Sequence, residues 1–399
     1  AEYDPNTDEF VINSPSVTAA KFWPGDLGFY CNYAMVFAKL IANGQLLGVH
    51  SFIVPIRDSQ QRPLPGIEVG DIGPKYGFVT KDNGYLMMKN IRIPRKNMLR
   101  KYVTLNKDGS LEMKGNPKIG YATMMLIRKM ITCSYYKVLG QAITIAGKYS
   151  LLRVQFKNEQ GVEQKIIEYQ TQQNKILSCV ADYYVLAVTG NRLGAMCNQN
   201  FTMVTQKDDD SMMAETHNCL CLGKAFSTET VIRDIEVSRL ACGGHGFSQY
   251  SGLPSLLQEI SGFTTLEGEN TVLNLQLARY LLKSVHYITI QHKGAVSGKK
   301  SPDPSVSYFL NSTELLKTRI VSPPNDDWSM KQLETIISQQ VCFMVTQINE
   351  AVQENLSGNH KDTRNFNAAI RQVAAAQIHA GHYYLNSFRE ATESFNGCP

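Results

Sequence analysis

Thr264-Thr265-Leu266-Glu267-Gly268-Glu269-Asn270 is a short polar corner, and the run behind it, Thr271-Val-Leu-Asn-Leu-Gln-Leu-Ala-Arg-Tyr-Leu-Leu-Lys-Ser-Val285, carries apolar residues at three- and four-residue spacing. That spacing predicts an amphipathic helix opening at about Asn270. Glu267 then stands beside a helix start, next to a glycine that lets a ligand approach the backbone closely. Two readings are open on these residues alone. Thr264-x-x-Glu267 has the spacing of a capping box, in which the glutamate ties off the helix N-terminus. The same carboxylate on a fixed corner also suits a general base.

Three earlier segments share the helical period: Ile119 to Lys148, a run from Gly161 towards Cys197, and Ser211 to Ala241. With the helix from Asn270 to about Ile290 they make four helices of roughly 20–35 residues, enough for a bundle. Residues 1–110 read differently. Short apolar runs (Glu9–Asn13, Tyr33–Ile41, Val49–Ile56, Gly84–Met88) alternate with turn clusters such as Asn43-Gly44, Pro63-Leu-Pro-Gly66 and Asp82-Asn-Gly84, a pattern that predicts a β-barrel or sandwich. Beyond the bundle, breaks at Ser297–Ser305 and Ser322–Asp327 set off two more helical stretches at about 328–356 and 361–396. The expected fold is multi-domain α+β: an N-terminal β-barrel or sandwich, a four-helix-bundle domain, and a partial C-terminal α-helical domain.

At 399 residues the chain exceeds one core. Its net charge of +5 comes from 40 basic and 35 acidic residues scattered along the sequence, so nucleic acid is not implied. The nine cysteines are irregularly spaced. His217-x-Cys219-x-Cys221 and His379-x-x-His382 come nearest to metal spacing, but no second pair accompanies either, so no metal is expected. An odd count reads as free thiols in a reducing compartment. No apolar run long enough for a membrane span and no signal peptide is present. The chain opens on alanine in a strand-like segment and stops just past a helical one, so both ends read as cut.

Four other stretches carry possible chemistry. Lys21-Phe-Trp-Pro-Gly-Asp-Leu-Gly28 places an indole beside glycines, either to cover a planar cofactor or as a turn with a buried Trp. Tyr149-Ser-Leu-Leu-Arg153-Val-Gln-Phe156, followed by Gln170-x-x-Gln173, suits a pyrophosphate and a purine, or is a surface connection. Cys242-Gly-Gly-His-Gly246 is either a helix stop or a glycine loop that admits a phosphate. It lacks the pattern of a Rossmann fingerprint. Arg128 interrupts an apolar face at Met124–Ile131, as a snorkelling surface residue or as a phosphate partner.

In this order, these residues resemble the peroxisomal acyl-CoA oxidases of the acyl-CoA dehydrogenase superfamily. Phe22-Trp-Pro-Gly-Asp-Leu-Gly28 is similar to the family's Trp-Trp-Pro-Gly-Gly-Leu-Gly. Val69-Gly-Asp-Ile-Gly-Pro-Lys75, Asp82-Asn-Gly-Tyr-Leu86 and Ile91-Arg-Ile-Pro-Arg95 match its strand domain. Tyr169-Gln-Thr-Gln-Gln173, Ala241-Cys-Gly-Gly-His-Gly246, Ser251-Gly-Leu-Pro254 and Glu267-Gly-Glu-Asn270 match its helical domain. The resemblance covers about residues 1–290 and is loose beyond. It implies a middle β domain over 1–112, a helical FAD and catalytic domain over 113–293, and a truncated C-terminal helical domain over 306–399. The family's first helical domain, a flavin-contacting strand segment and the end of the last domain would be missing.

The resemblance also implies roles. Glu267 matches the catalytic base, and Gly268 lies where the backbone meets the thioester. Trp23 and Gly25 match flavin contacts, and Asn270 falls near the flavin. Arg153, Phe156, Gln170 and Gln173 match residues that hold the adenosine diphosphate half of FAD, as do Gly243, Gly244 and Gly246, and in the family that half belongs to the neighbouring subunit. Arg128 matches an arginine near the CoA end, although the acidic residue usual three positions earlier is Met125 here. The implied reaction is the first step of peroxisomal β-oxidation, acyl-CoA and O2 to trans-2-enoyl-CoA and hydrogen peroxide, in a homodimer. The alternatives are an acyl-CoA dehydrogenase that passes electrons to a flavoprotein, and a non-catalytic scaffold relative.

Overall fold

A computed structural model of the chain describes residues 1–114, 119–292, 303–319, 322–323, 328–356 and 368–395. It divides into two compact units, Ala1–Gly120 and Tyr121–Pro399. The breaks expected at Ser297–Ser305 and Ser322–Asp327 lie largely outside the described residues, as do Cys398 and the start of the stretch expected at 361–396.

The first unit is sheet-rich. Strands β1 (Glu2–Asp4), β2 (Glu9–Ile12), β4 (Tyr33–Ala42), β5 (Gln45–Pro55) and β8 (Ile91–Pro94) form one sheet in the order β5-β4-β1-β2-β8. Strands β3 (Lys21–Gly25), β6 (Ile67–Asp71) and β7 (Asn83–Met88) form a second in the order β3-β7-β6, and β9 (Val103–Leu105) pairs with β10 (Leu111–Met113). Asn43 and Gly44 make the predicted turn: both take positive φ, 50° and 72°, and Ala42 pairs with Gln45 across them. Positive φ at both positions matches the right-handed twist of the flanking strands. Alternate side chains point inward, including Phe10 and Ile12, Leu86 and Met88, and Ile91 and Ile93, and they build one core shared by both sheets. Of the barrel and sandwich alternatives the barrel is corrected: no sheet closes on itself among the described residues.

The second unit is helical: α1 (Ile119–Ser134), α2 (Tyr136–Leu152), α3 (Gln170–Gln206), α4 (Met213–Ala241), α5 (Gly243–Phe247), α6 (Leu253–Ser261), α7 (Asn270–His292), α8 (Ser312–Lys317), α9 (Met330–Leu356) and α10 (Ala369–Phe395). Two expectations need correction. The single run from Ile119 is two helices that part at Tyr135. The helix expected from Gly161 starts at Gln170, because β11 (Val154–Lys157) and β12 (Glu163–Lys165) form a hairpin first. Its turn is held by the Asn158 carboxamide, which accepts the N–H groups of Gln160 and Val162 at 3.0 Å each, and by Gly161 at φ 78°.

Helix α4 is buried around most of its circumference, as the centre of a bundle must be. Small residues allow the close approach: a Cβ on Gly190 of α3 would come 2.7 Å from the Thr132 carbonyl, and one on Gly223 of α4 2.6 Å from Leu193. Leu281 and Ile288 of α7 share a core with Val341 and Val345 of α9 and Ala375 of α10. Tyr384 of α10 stacks on Phe226 at 4.5 Å and donates to the Gly223 carbonyl. No described helix is long and apolar enough to cross a membrane. The described cysteines are free thiols, and burial pushes Cys179 and Cys221 up to about 11 and Cys219 and Cys342 up to about 12.

His379 and His382 on α10 are buried, and Tyr308 hydroxyl pairs with His379 Nδ1 at 2.8 Å. Burial pushes the two imidazoles down to about 3 and about 4, reinforced for His379 by competition with the His382 ring for a proton and for His382 by the Arg389 charge. In the unfolded chain both titrate near 6.5. As pH falls below about 6.5 the unfolded chain takes up protons that the folded one does not, so stability drains away down to about pH 3. The expected result is a melting temperature that falls across that window by circular dichroism, with a shallower fall in the His379→Gln/His382→Gln double variant.

Candidate functional site

The corner that opens α7 begins at a 3-10 turn, Gly262–Thr264. The N–H groups of Thr265 and Leu266 both donate to the Gly262 carbonyl, at 3.1 and 3.0 Å. Glu267 then takes φ 58° and Gly268 φ 110°. A left-handed backbone at a non-glycine residue costs roughly 1–2 kcal/mol. Glycine is required at 268 on a second count, since a Cβ there would lie 2.8 Å from Leu273.

The helix cap falls elsewhere than the capping-box spacing suggested. Glu269, not Glu267, accepts the Val272 N–H at 3.1 Å and the Thr271 hydroxyl at 3.0 Å, and its own carbonyl takes the first helical bond from Leu273. Thr264 bonds back to the Ser261 carbonyl. The Glu267 side chain is half-buried, and its carboxylate has no partner among the described residues.

Two buried cations hold this corner. Arg128 of α1 is 7 % exposed, which removes the snorkelling alternative. Its Nε donates to the Glu267 carbonyl at 3.0 Å and its Nη1 to Cys221 Sγ at 3.4 Å. Lys224 of α4 is fully buried and its Nζ donates to the carbonyls of Gly268 (2.6 Å) and Thr264 (3.3 Å) and to Asn270 Oδ1 (2.8 Å). Burial, then the Arg128 charge, pushes the Lys224 ammonium down to about 8, against the pull of Glu269, Glu229 and Glu267. Asn270 Nδ2 in turn donates to the Ala225 carbonyl, Thr228 Oγ1 and Glu229 Oε1. His217, whose imidazole burial pushes down, meets Gln276 nearly two turns further along α7.

A second group gathers where α2, α3 and α4 end or begin. Gln172 on the first turn of α3 donates to Ser150 Oγ of α2 at 3.0 Å and to the Ala241 carbonyl of α4 at 2.8 Å. Tyr149 hydroxyl meets His245 Nδ1 at 3.2 Å. Of the two readings of Cys242–Gly246, the helix stop fits, since α4 ends at Ala241 just before the left-handed Gly243; the glycine loop is corrected to the short helix α5, and its glycines differ. Gly243 has φ 58°, Gly244 has open space around it, and Gly246 is buried, where a Cβ would fall 2.0 Å from the Arg239 carbonyl oxygen. Arg153 is exposed at the end of α2, with Nη2 on Gln155 Oε1 at 3.0 Å. Phe156 is 72 % exposed at φ 61°, and Gln170 and Gln173 occupy the first turn of α3.

In the sheet unit, Trp23 has φ 81° and is 51 % exposed, so it is not the buried indole of the turn alternative. Its carbonyl accepts from Asn83 at 2.8 Å, and Gly25 leaves room for the Lys81 side chain, which pairs with Asp26 at 2.7 Å. The loop beyond is held by two residues that sequence reasoning missed. Buried Arg57 donates to the carbonyls of Leu27, Gly28 and Cys31, and Asp82 accepts the N–H groups of Gly28 and Phe29. Lys224 was also missed, although a lysine inside Cys219-Leu-Cys-Leu-Gly-Lys-Ala-Phe226 is a charge within an otherwise apolar run.

A family model for the acyl-CoA oxidase C-alpha1 domain matches residues 121–282, from the bundle's first helix through the Glu267 corner. Human peroxisomal acyl-coenzyme A oxidase 1 is 44% identical over 289 residues, 71% of this chain and 43% of the relative. The chain belongs to the acyl-CoA oxidase family. Mouse peroxisomal acyl-coenzyme A oxidase 2 is 36% identical over 407 residues, covering 100% of this chain and 58% of the relative. The chain therefore spans about half the length of the acyl-CoA oxidases it matches. Among solved structures, Arabidopsis thaliana acyl-CoA oxidase 1 superposes with a TM-score of 0.90 at 32% identity, over 98% of this chain and 59% of the other. Acyl-CoA oxidase-2 of Caenorhabditis elegans, solved with FAD, ascaroside-CoA and ATP, gives a TM-score of 0.87 at 33% identity, over 98% and 57%.

Proposed function

We propose that this chain is the flavin-binding and catalytic portion of an FAD-dependent acyl-CoA oxidase, which converts a fatty acyl-CoA and O2 to trans-2-enoyl-CoA and hydrogen peroxide in β-oxidation. One observation carries the reading. The Glu267 carboxylate is left without a partner on a strained corner that two buried cations hold, while Glu269 takes the cap. An α-proton beside a thioester leaves only if a base is placed against it and the carbonyl is polarised. Glu267 is the base. The N–H groups of Glu267, Gly268 and Glu269 have no partner among the described residues and so are open to the thioester oxygen as it gains charge. Arg128 belongs to the substrate side of the same corner, because its hold on the Glu267 carbonyl sets where the N–H of Gly268, on the far side of that peptide, points.

The residues present suit FAD. Trp23 offers an exposed indole face beside Gly25 for the ring system. Exposed Arg153 and Phe156, with Gln170 and Gln173 and the turn of Gly243, Gly244 and Gly246, suit the adenosine diphosphate half. Asn270 acts through the corner, since its amide is already engaged. Bound FAD supplies the acceptor for the β-hydrogen as hydride and passes the electrons to O2. On α4, Lys224 and Ala241 are 241 − 224 = 17 residues apart, about 25 Å along the axis. The base and the diphosphate-end residues of one chain are thus far apart, which supports a homodimer in which each copy completes the other's flavin site. The relatives' names support a peroxisomal location.

The test is an oxygen electrode with a peroxide assay. The purified protein is expected to be yellow, and to consume O2 and release peroxide when fatty acyl-CoA is added. Reduced flavin that stays reduced in air, with turnover restored by an electron-transfer flavoprotein, would make it a dehydrogenase. A colourless protein would make it a scaffold.

A further inference from the structure

Lys224 has no place in the chemistry above, yet it is the most completely engaged buried cation near it. Its three ammonium protons meet three acceptors: the Thr264 and Gly268 carbonyls on either side of Glu267, and Asn270 Oδ1 at the first residue of α7. The Asn270 amide returns to α4 through Ala225, Thr228 and Glu229, so one helix grips the corner twice. A buried ammonium is expensive to desolvate, and an apolar side chain of similar size would avoid that cost but leave the Thr264 and Gly268 carbonyls and Asn270 Oδ1 without this donor. What an apolar residue cannot do is hold two carbonyls that bracket a left-handed glutamate at φ 58°.

We infer that Lys224 is a positioning residue for Glu267: it fixes the strained backbone from which the carboxylate reaches substrate, and without it the carboxylate loses its alignment rather than its identity. The inference rests on Glu267 being the base. A misplacement of about 1 Å at a reacting group costs on the order of a hundredfold in rate, and that is the scale expected here.

The experiment compares wild type, Lys224→Met and Glu267→Gln, each purified with FAD bound, by anaerobic stopped-flow reduction with a fatty acyl-CoA and with its α-deuterated form. Lys224→Met is expected to keep the flavin spectrum and an acyl-CoA dependence within about threefold of wild type, while the limiting reduction rate falls about a hundredfold. The isotope effect on that rate should grow, because proton abstraction becomes the slow step; a role in stability alone would leave it unchanged. Lys224→Gln, which retains two donors, is expected to fall between, and it is the variant to read where the methionine protein does not fold. Reduction at the wild-type rate in either Lys224 variant overturns the positioning role if Glu267→Gln is inert. Normal reduction in Glu267→Gln overturns the assignment of the base itself.

Discussion

Replacing Glu267 with glutamine is expected to leave FAD bound and to slow flavin bleaching by acyl-CoA about ten-thousandfold under anaerobic conditions, the upper range for loss of a general base, or about 5 kcal/mol of barrier. Glutamine has almost the same shape, so the corner and its two cation contacts, which fall on backbone carbonyls, are retained. Only the capacity to take a proton is lost. The informative control is two residues away. Glu269 carries the same charge next to the same glycine, but its oxygens are occupied by the Val272 N–H and the Thr271 hydroxyl. Glu269→Gln is therefore expected to cost a few tenths of a kcal/mol to about 1 kcal/mol of stability and to bleach at close to the normal rate. Bleaching lost in Glu269→Gln and kept in Glu267→Gln would exchange the two roles.

Gly246→Ala is expected to be the most damaging single methyl in the second group. Its Cβ would fall 2.0 Å from the Arg239 carbonyl oxygen and 2.9 Å from the carbonyl carbon. Both are backbone atoms at the end of α4, so α5 must move away from α4 or the chain must fail to pack. Overpacking of this kind costs about 3 kcal/mol or more, which for a unit of this size is a fall in melting temperature of roughly 6–12 °C. Gly244→Ala separates structure from ligand binding, because nothing lies within 4 Å of its Cβ. It is expected to melt like wild type and, if the flavin's diphosphate end approaches that backbone, to bind FAD more weakly by fluorescence titration. Equal melting of the two variants would show that the packing at 246 gives way easily.

The elements most legible in the sequence are those whose physics is local. Asn43-Gly44 carries its turn in two residues, and the strands and long helices carry theirs in the spacing of apolar side chains. The hairpin of β11 and β12 was hidden because its strands are only four and three residues long and almost wholly exposed, so the brief Val-Gln-Phe-Lys alternation does not stand out beside the long helical run. The parting of α1 from α2 at Tyr135 has no proline or glycine to announce it. The Glu267 corner was located from its glycine and the helix behind it, but not what holds it. Arg128 lies 139 residues from the Glu267 carbonyl it binds, and Lys224 lies 40 and 44 residues from the Thr264 and Gly268 carbonyls, and neither has a local signature beyond being charged in an apolar stretch. Thr264-x-x-Glu267 satisfied a capping rule by spacing, whereas Glu269 satisfies it in space; the left-handed turn at 267 and 268 shifts the helix start past the motif.

The buried thiols bear on how long such a protein survives its own work. Peroxide attacks the thiolate, not the thiol. With Cys179 and Cys221 near 11 and Cys219 and Cys342 near 12, the deprotonated fraction at neutral pH is on the order of one in ten thousand or less. Cys221 sits against the Arg128 guanidinium, directly beneath the corner where the proposed chemistry would be driven. A protein proposed to release hydrogen peroxide would thus hold these buried sulfurs in the protonated form, which its own product oxidises slowly.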